Sequence, residues 1–448
     1  MVTHPRDAEL GQGCPTPLSR LTELAQEDSG RKFSSIAHFL TPEALYEAFC
    51  SLRKDASAGV DQVTYEDYAR QAEENIRGLW EKLKGKTYRA QPLRRIYIPK
   101  EDGKQRAISI PALEDKIAQK ATVRLLNAIY ESDFLACSYG SRPGRNPQQA
   151  LDAVDRMVFQ ESIAYVLEID IVSYFDAIVR EPLMEMIERR ISDRSILRLI
   201  RKWVNVGVID EGRLLVNKTG TGQGQVVSPL LANIYLHYIL DQWFEEEVKP
   251  RLRDKAFEVR YVDDVLLCFQ NKEDAQKVLQ VLEKRFSKYG LSLHPEKTRL
   301  VEFGRSALAK AERRKTQPAT FEFLGFVHLS ARSRRGKFMV QVKTMKKRLK
   351  RSLVAAEKWC KEHRHDPVKD QHALLNAKLR GHYQYYGRAS NYRALWQFFI
   401  GVRTMWKKWL NRRTRGTTLH WDKYNQLLRR YPLLPPRITH SWASLRSS

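Results

Sequence analysis

The chain has 448 residues, enough for two or three domains around a substantial core. Lys and Arg number 78 against 52 Asp and Glu, a formal charge of +26. From Gln341 to Ser448 there are 25 basic and 5 acidic residues, so the last quarter alone carries +20. A basic end with many aromatics points to a polyanionic partner. No apolar run approaches the length of a membrane span, and no signal-peptide pattern opens the chain, so an acidic membrane is not the expected partner. The five cysteines are scattered and form no Cys-x-x-Cys pair. A zinc ribbon or disulfide scaffold is therefore not expected, and a reducing, cytoplasmic setting is the default.

In chain order, residues 1–35 hold scattered Gly, Pro and Ser without clear periodicity and read as a flexible or loosely docked arm. Residues 42–85 read as helical, with a break at Ala58-Gly59-Val60-Asp61. Leu93 to Ile98 and Gln105 to Ile110 read as paired strands across the turn residues Glu101-Asp102-Gly103-Lys104. Pro111 stops the second strand, and Leu113 to Tyr130 reads as a helix. Tyr165 to Ile171 is a short apolar run with Asp170 near its end, as expected of a buried strand opening onto a site. Glu181 to Asn205 is helical, with Ser192-Asp193 a candidate division. Ser228-Pro229 predicts a helix start, with Ser228 as N-cap, running to about Val248. Phe257 to Phe269 reads strand–turn–strand around an acidic tip, and Lys272 to Tyr289 as a helix ended by Gly290. Basic helices follow at about 343–363, 370–386 and 391–411. In the last, Leu395, Phe399, Val402, Trp406 and Trp409 recur at helical spacing and read as bundle core. The tail from Thr417 reads as an irregular wrap.

The acidic tip is Tyr261-Val262-Asp263-Asp264, two adjacent carboxylates inside an apolar stretch. Desolvating an unpartnered carboxylate costs several kcal/mol, so such placement asks for a partner. Taken alone, the pair reads equally as a solvated hairpin turn. Asp170, closing a second apolar strand, shifts that balance. Two strands that deliver three carboxylates to one edge can hold two Mg²⁺ ions, which take oxygen ligands and bridge to phosphates. Such a pair of ions suits in-line phosphoryl transfer. Asp176 reads as a helix cap.

Together with Gln223-Gly224-Gln225-Val226-Val227-Ser228-Pro229-Leu230-Leu231-Ala232-Asn233, these residues resemble a reverse transcriptase. More narrowly, they resemble the group II intron-encoded reverse transcriptases, or maturases, and their free-standing group II-like bacterial relatives, over about residues 40–440. The resemblance implies an α+β right-hand polymerase: an N-terminal extension (1–40), fingers and palm with antiparallel sheet (41–335), an all-α thumb or maturase X-like domain (341–416) and a short basic tail (417–448). It implies RNA-directed DNA polymerisation with two Mg²⁺ ions, Mn²⁺ being a possible substitute. Asp170, Asp263, Asp264 and the backbone carbonyl of Ile171 would hold the metals. Lys100 and Arg106, in the hairpin Arg95 to Arg106, would contact the incoming triphosphate. Phe175 would exclude a ribose 2′-hydroxyl, Gln223 would lie near sugar and base, and Lys297, in Leu293-His294-Pro295-Glu296-Lys297-Thr298, would give a proton to pyrophosphate. Plainer readings stand beside these: a solvated basic hairpin, a core aromatic, a surface glutamine and a solvated lysine. Phe323-Leu324-Gly325-Phe326 resembles the primer-grip turn, and Leu379 to Gly387 the start of the thumb.

The implied partners are an RNA template, a DNA or RNA primer, deoxyribonucleoside triphosphates and a structured intron RNA. No feature fixes an oligomeric state. Two positions depart from the family pattern: Val262, where group II intron enzymes usually carry Ala, and Thr221-Gly222-Gln223-Gly224-Gln225, where Thr-Pro-Gln-Gly-Gly is usual. The chain has no His- and Cys-rich endonuclease module, so target cleavage is not expected. Two further readings remain open: an RNA-binding splicing cofactor as the main role, and a domesticated polymerase in DNA repair or phage defence.

Overall fold

The apolar run before Asp170 forms strand β3 (Tyr165–Ile169), the hub of a four-stranded antiparallel sheet of order β6-β7-β3-β8. Its other members are β6 (Ala256–Tyr261), β7 (Asp264–Phe269) and β8 (Arg299–Glu302). The computed structural model describes residues 17–99, 105–210, 212–216, 219–413 and 418–440. A second sheet has the order β2-β1-β4-β5: β1 (Leu93–Pro99) and β2 (Gln105–Ile110) form a hairpin, β4 (Val208–Asp210) runs parallel to β1, and β5 (Arg213–Leu215) closes the edge. A third, of order β11-β10-β9, joins β9 (Thr320–Phe323), β10 (Phe326–Arg332) and β11 (Phe338–Thr344).

The helix Leu113–Tyr130 matches the reading from sequence to the residue and is buried on most of its surface. The expected division at Ser192-Asp193 is real: helices Arg180–Glu188 and Arg194–Asn205 meet there, and Asp193 caps the second through Ser195 N at 2.8 Å. The basic C-terminal helices are Lys346–Glu362, Val368–Tyr386 and Tyr392–Leu410, with their own apolar core. Arg388 fastens this bundle to the rest. It is nearly buried and pairs with Asp152 at 2.8 Å and Asp155 at 2.7 Å on the helix Pro147–Gln160.

Several readings need correction. The region read as a loosely docked arm contains the helix Pro17–Glu27, with Leu21 and Ala25 buried. Arg190 holds its end by donating to the carbonyls of Ala25 (3.3 Å) and Asp28 (3.0 Å). The tail is not irregular throughout: Trp421–Arg430 is a helix whose Tyr424 is fully buried and donates to the Arg403 carbonyl at 2.8 Å. In Tyr392–Leu410 the fully buried stripe is Leu395, Phe398, Val402, Trp406 and Leu410, while Phe399 and Trp409 sit at its margin. Ser228 is not an N-cap. It lies inside the helix Ser228–Leu236, and its hydroxyl donates back to the Thr221 carbonyl at 2.6 Å. That helix continues to Val248 with wider, i→i+5 turns over His237–Asp241 and Trp243–Val248. Such widened turns re-aim side chains and recur at functional sites; here one carries Asp241 into the core.

Candidate active site

β3 and β7 are neighbours in register, Ile169 opposite Val265, so Asp170 and Asp264 leave the same end of the sheet side by side. Asp263 precedes Asp264 at the tip of the two-residue turn between β6 and β7. Val262 holds that turn at φ +59°, a left-handed conformation that costs a branched residue about 1–2 kcal/mol. Buried contacts keep it there. Arg260, fully buried, donates to the Val262 carbonyl at 3.1 Å and to Asn233 Oδ1 at 2.9 Å, and its Nε donates to Asp241 at 2.7 Å. Asn233 in turn donates to the Gly140 carbonyl at 2.7 Å. A Cβ on Gly140 would lie 2.5 Å from Val262 N, so only glycine lets this segment pass behind the turn.

Asp170 is fixed from the other side. Its carbonyl accepts from His294 N at 2.8 Å, and Val172 N donates to Ser292 O at 2.9 Å. Ile171 sits between these bonds, bridged to Leu293. Lys297 Nζ reaches Asp170 Oδ2 at 3.2 Å. Asp170, Asp264 and Lys297 line one cleft of about 860 Å³, whose far wall is Leu324, Gly325, Arg348, Arg351 and Tyr386. Leu324 and Gly325 make a two-residue turn with both φ positive, held by Tyr385 Oη donating to the Leu324 carbonyl at 3.0 Å.

Burial raises the Asp263 carboxyl above its ordinary range, opposed by the positive charge of Arg106. Asp264 is pushed up to about 7, first by burial and then by the Asp263 and Asp170 carboxylates. Asp264 is nonetheless exposed to solvent where it lines the cleft. Mutual repulsion of this kind is what a bound cation relieves, so the donor set fits divalent metal. It is wider than a single-ion cage. Among the described residues only Cys137, Asp241 and Glu258 bring three ligand atoms within 4.8 Å, and there the Arg260 guanidinium already supplies the positive charge. Burial and then the Asp241 charge push Glu258 well above the carboxylate range.

Of the remaining expected residues, Arg106, Phe175 and Gln223 lie among the described residues. Arg106 lies on β2, exposed, with its charge felt at both Asp263 and Asp264. Lys100 lies outside the described residues. Phe175 is half-buried, and its carbonyl accepts from Thr221 N at 3.0 Å. Gln223 is half-buried, and its carbonyl accepts from Ser109 N at 2.7 Å, tying its loop to β2. Two glutamines that the sequence reading did not single out shape that loop. Buried Gln225 donates to Thr221 O at 2.6 Å, and Gln119 donates to Gln225 Oε1 at 2.8 Å while accepting from Val226 N at 2.9 Å.

Known proteins share this arrangement of sequence. A match to the family "Reverse transcriptase (RNA-dependent DNA polymerase)" covers residues 98–328, just over half of the chain, from β1 to β10. The chain belongs to the reverse transcriptase family. Within it, similarity runs to the group II intron branch. The group II intron-encoded protein LtrA of Lactococcus lactis subsp. cremoris is 31% identical over 280 residues, 60% of this chain and 46% of the relative. Protein YkfC of Escherichia coli (strain K12) is 35% identical over 234 residues, 51% of this chain and 61% of the relative. An uncharacterized 91 kDa protein in a cob intron of Schizosaccharomyces pombe is 39% identical over 165 residues, 36% and 20% respectively. The chain thus spans about half the length of the first of these relatives. No helix among the described residues is long and apolar enough to cross a membrane.

Proposed function

We propose that this reverse transcriptase is an RNA-directed DNA polymerase that extends a primer with deoxyribonucleoside triphosphates by two-metal phosphoryl transfer. The observation that carries the reading is the delivery of Asp170, Asp263 and Asp264 to one end of the β6-β7-β3-β8 sheet, where Asp170 and Asp264 open onto a cleft lined by both carboxylates and cations. Those three carboxylates and the Ile171 carbonyl are the groups that would hold Mg²⁺, or Mn²⁺ in its place. Bound there, the ions would activate the primer hydroxyl and neutralise the leaving oxygen. The chain's own residues do the rest. Arg106, with Lys100 nearby in sequence, binds the triphosphate, and Arg is suited to bidentate contact with phosphate oxygens. The Phe175 ring stands where a ribose 2′-hydroxyl would clash, and Gln223 stands near sugar and base. Lys297, already 3.2 Å from Asp170, holds a proton within reach of departing pyrophosphate. Residues 41–335 serve as fingers and palm, and 341–416 as a thumb that tracks the duplex backbone.

The test is primer extension on matched RNA and DNA templates, wild type beside Asp263→Ala. Wild type extends and the variant does not; failure of wild type on both templates would sink the polymerase reading, and equal activity of the variant would sink the assigned site. Phe175→Ala should admit ribonucleotides.

The intron proteins among the relatives favour a second role, binding of a structured intron RNA by the basic C-terminal region. A group II ribozyme flanking the reading frame, and salt-dependent capture of that RNA, would support it.

A further inference from the structure

The helix Arg194–Asn205 carries more positive charge than its packing uses. Its inner face is apolar, with Ile196, Leu199, Ile200 and Trp203 among its buried residues. Its outer face presents Arg194, Arg198 and Arg201 at helical spacing, with half-buried Lys202 beside them donating to the Tyr88 carbonyl. Arg201 pairs with Glu188, but neither Arg194 nor Arg198 has an acidic partner among the described residues. Arg194 also occupies the first helical position, where the macrodipole disfavours a cation. Arg194, an exposed cation held against the helix dipole, and Arg198 are thus open to an anion from outside.

The space beside this face is a groove. One hollow, of about 520 Å³, is lined by the four cations and Asn205. A second, of about 440 Å³, shares Arg198 and Lys202 with it and continues to Trp80, Lys84 and His38. Lys84 Nζ lies 4.6 Å from the Trp80 ring centroid. Cations alternating with flat rings suit a single strand, whose phosphates take the cations and whose unpaired bases stack on the rings. A duplex keeps its bases inside and has no use for the rings.

The groove ends beside the candidate site. Arg180 donates to Asn205 Oδ1 at 3.1 Å and to the carbonyls of Thr219 and Gly220, each at 3.2 Å. The next residue, Thr221, donates its N–H to the Phe175 carbonyl at 3.0 Å. A single guanidinium therefore separates the groove from the loop that backs Phe175.

We propose that this groove holds the unpaired template strand ahead of the site of nucleotide addition, through its phosphates and base faces and without sequence preference. The proposal rests on the polymerase reading above. It places the template's entry path over the helix Arg194–Asn205 and toward Trp80.

The experiment uses the full chain and template–primers that differ only in the unpaired template, about one or about ten nucleotides long. Binding is read by fluorescence anisotropy across a salt series, and extension on the same substrates. Arg194→Gln/Arg198→Gln changes two exposed, unpaired side chains and leaves the helix interior untouched. The expected result is that wild type prefers the long overhang. The double variant loses on the order of ten-fold in affinity for it, and its salt slope falls by about 1.4. On the short overhang, binding and extension stay at the wild-type level. Equal losses on both overhangs, or none on either, overturn the proposal. So does a loss confined to a folded RNA hairpin without primer, which would make the groove a site for structured RNA. Failure of wild type to extend even the short-overhang substrate would sink the polymerase reading itself, whereas extension with overhang-independent affinity sinks the groove alone.

Discussion

The guanidinium of Arg260 donates to the carbonyl of Val262 at 3.1 Å from a position with no solvent contact, and so ties the turn bearing two carboxylates to the ion pair Arg260–Asp241 beneath it. Removing the cation would leave Asp241 charged and unpaired in the core. Breaking a buried pair in this way costs about 3–5 kcal/mol. Arg260→Met should therefore lower the unfolding free energy measured in urea by about that amount. Arg260→Lys should recover part of the stability but not the bond geometry at Val262, and so little activity. A variant as stable as wild type in urea would remove the pair from its supporting role.

Gly140 tests the same turn by volume rather than charge. An added methyl would lie 2.5 Å from Val262 N and 2.8 Å from Tyr261 C, both backbone atoms that cannot swing aside. Gly140→Ala should displace Asp263 and Asp264 and lower the primer-extension rate by about 10²-fold, the penalty of an ångström-scale misplacement. The helical content by circular dichroism should stay close to wild type. An unaltered rate would show that the turn tolerates the shift.

Asp264 sets activity against stability. Its carboxyl, pushed up to about 7, is far above its value in the unfolded chain. The fold is thus unburdened at low pH, where Asp264 is protonated, and loses stability as pH rises through about 7. Asp264→Asn should abolish extension yet raise the melting temperature at pH about 8 without divalent ions, a gain that shrinks below pH about 6. Adding Mg²⁺ should raise the melting temperature of wild type and leave the variant nearly unchanged. A variant that melts below wild type throughout would contradict the repulsion.

The aspartates were legible because apolar runs announce strands and a carboxylate ending such a run is rarely casual. Leu113–Tyr130 was legible because Pro111 stops the strand before it and its apolar spacing is long. The helix Pro17–Glu27 was not. It leans on two buried anchors, Leu21 and Ala25, and on Arg190, more than 160 positions away, which no periodicity reveals. Trp421–Arg430 was hidden for the same reason, with Tyr424 as its one buried residue. The support beneath the site joins Gly140, Asn233, Asp241 and Arg260, residues spread over about 120 positions. Its local signals were Glu258 and Arg260, charges alternating with Phe257, Val259 and Tyr261 in a strand otherwise suited to burial.

His328 gives a pH test away from the site. It is fully buried on β10, stacked on Phe321 with centroids 4.5 Å apart, and neither ring nitrogen has a protein hydrogen-bond partner among the described residues. Burial, then the Arg388 charge, lowers its pKa to about 3. Below the unfolded value near 6.5 the unfolded chain takes up a proton that the fold refuses, so stability falls as pH drops. Between pH about 7 and about 4 this amounts to about 3 kcal/mol. His328→Phe keeps the stack and cannot titrate. Any packing penalty it carries is independent of pH, and the other buried groups cancel in the difference from wild type. The urea stability of the variant relative to wild type should therefore rise by about 3 kcal/mol over that range. A difference that stays constant with pH would mean that the ring is reached by protons in the folded state.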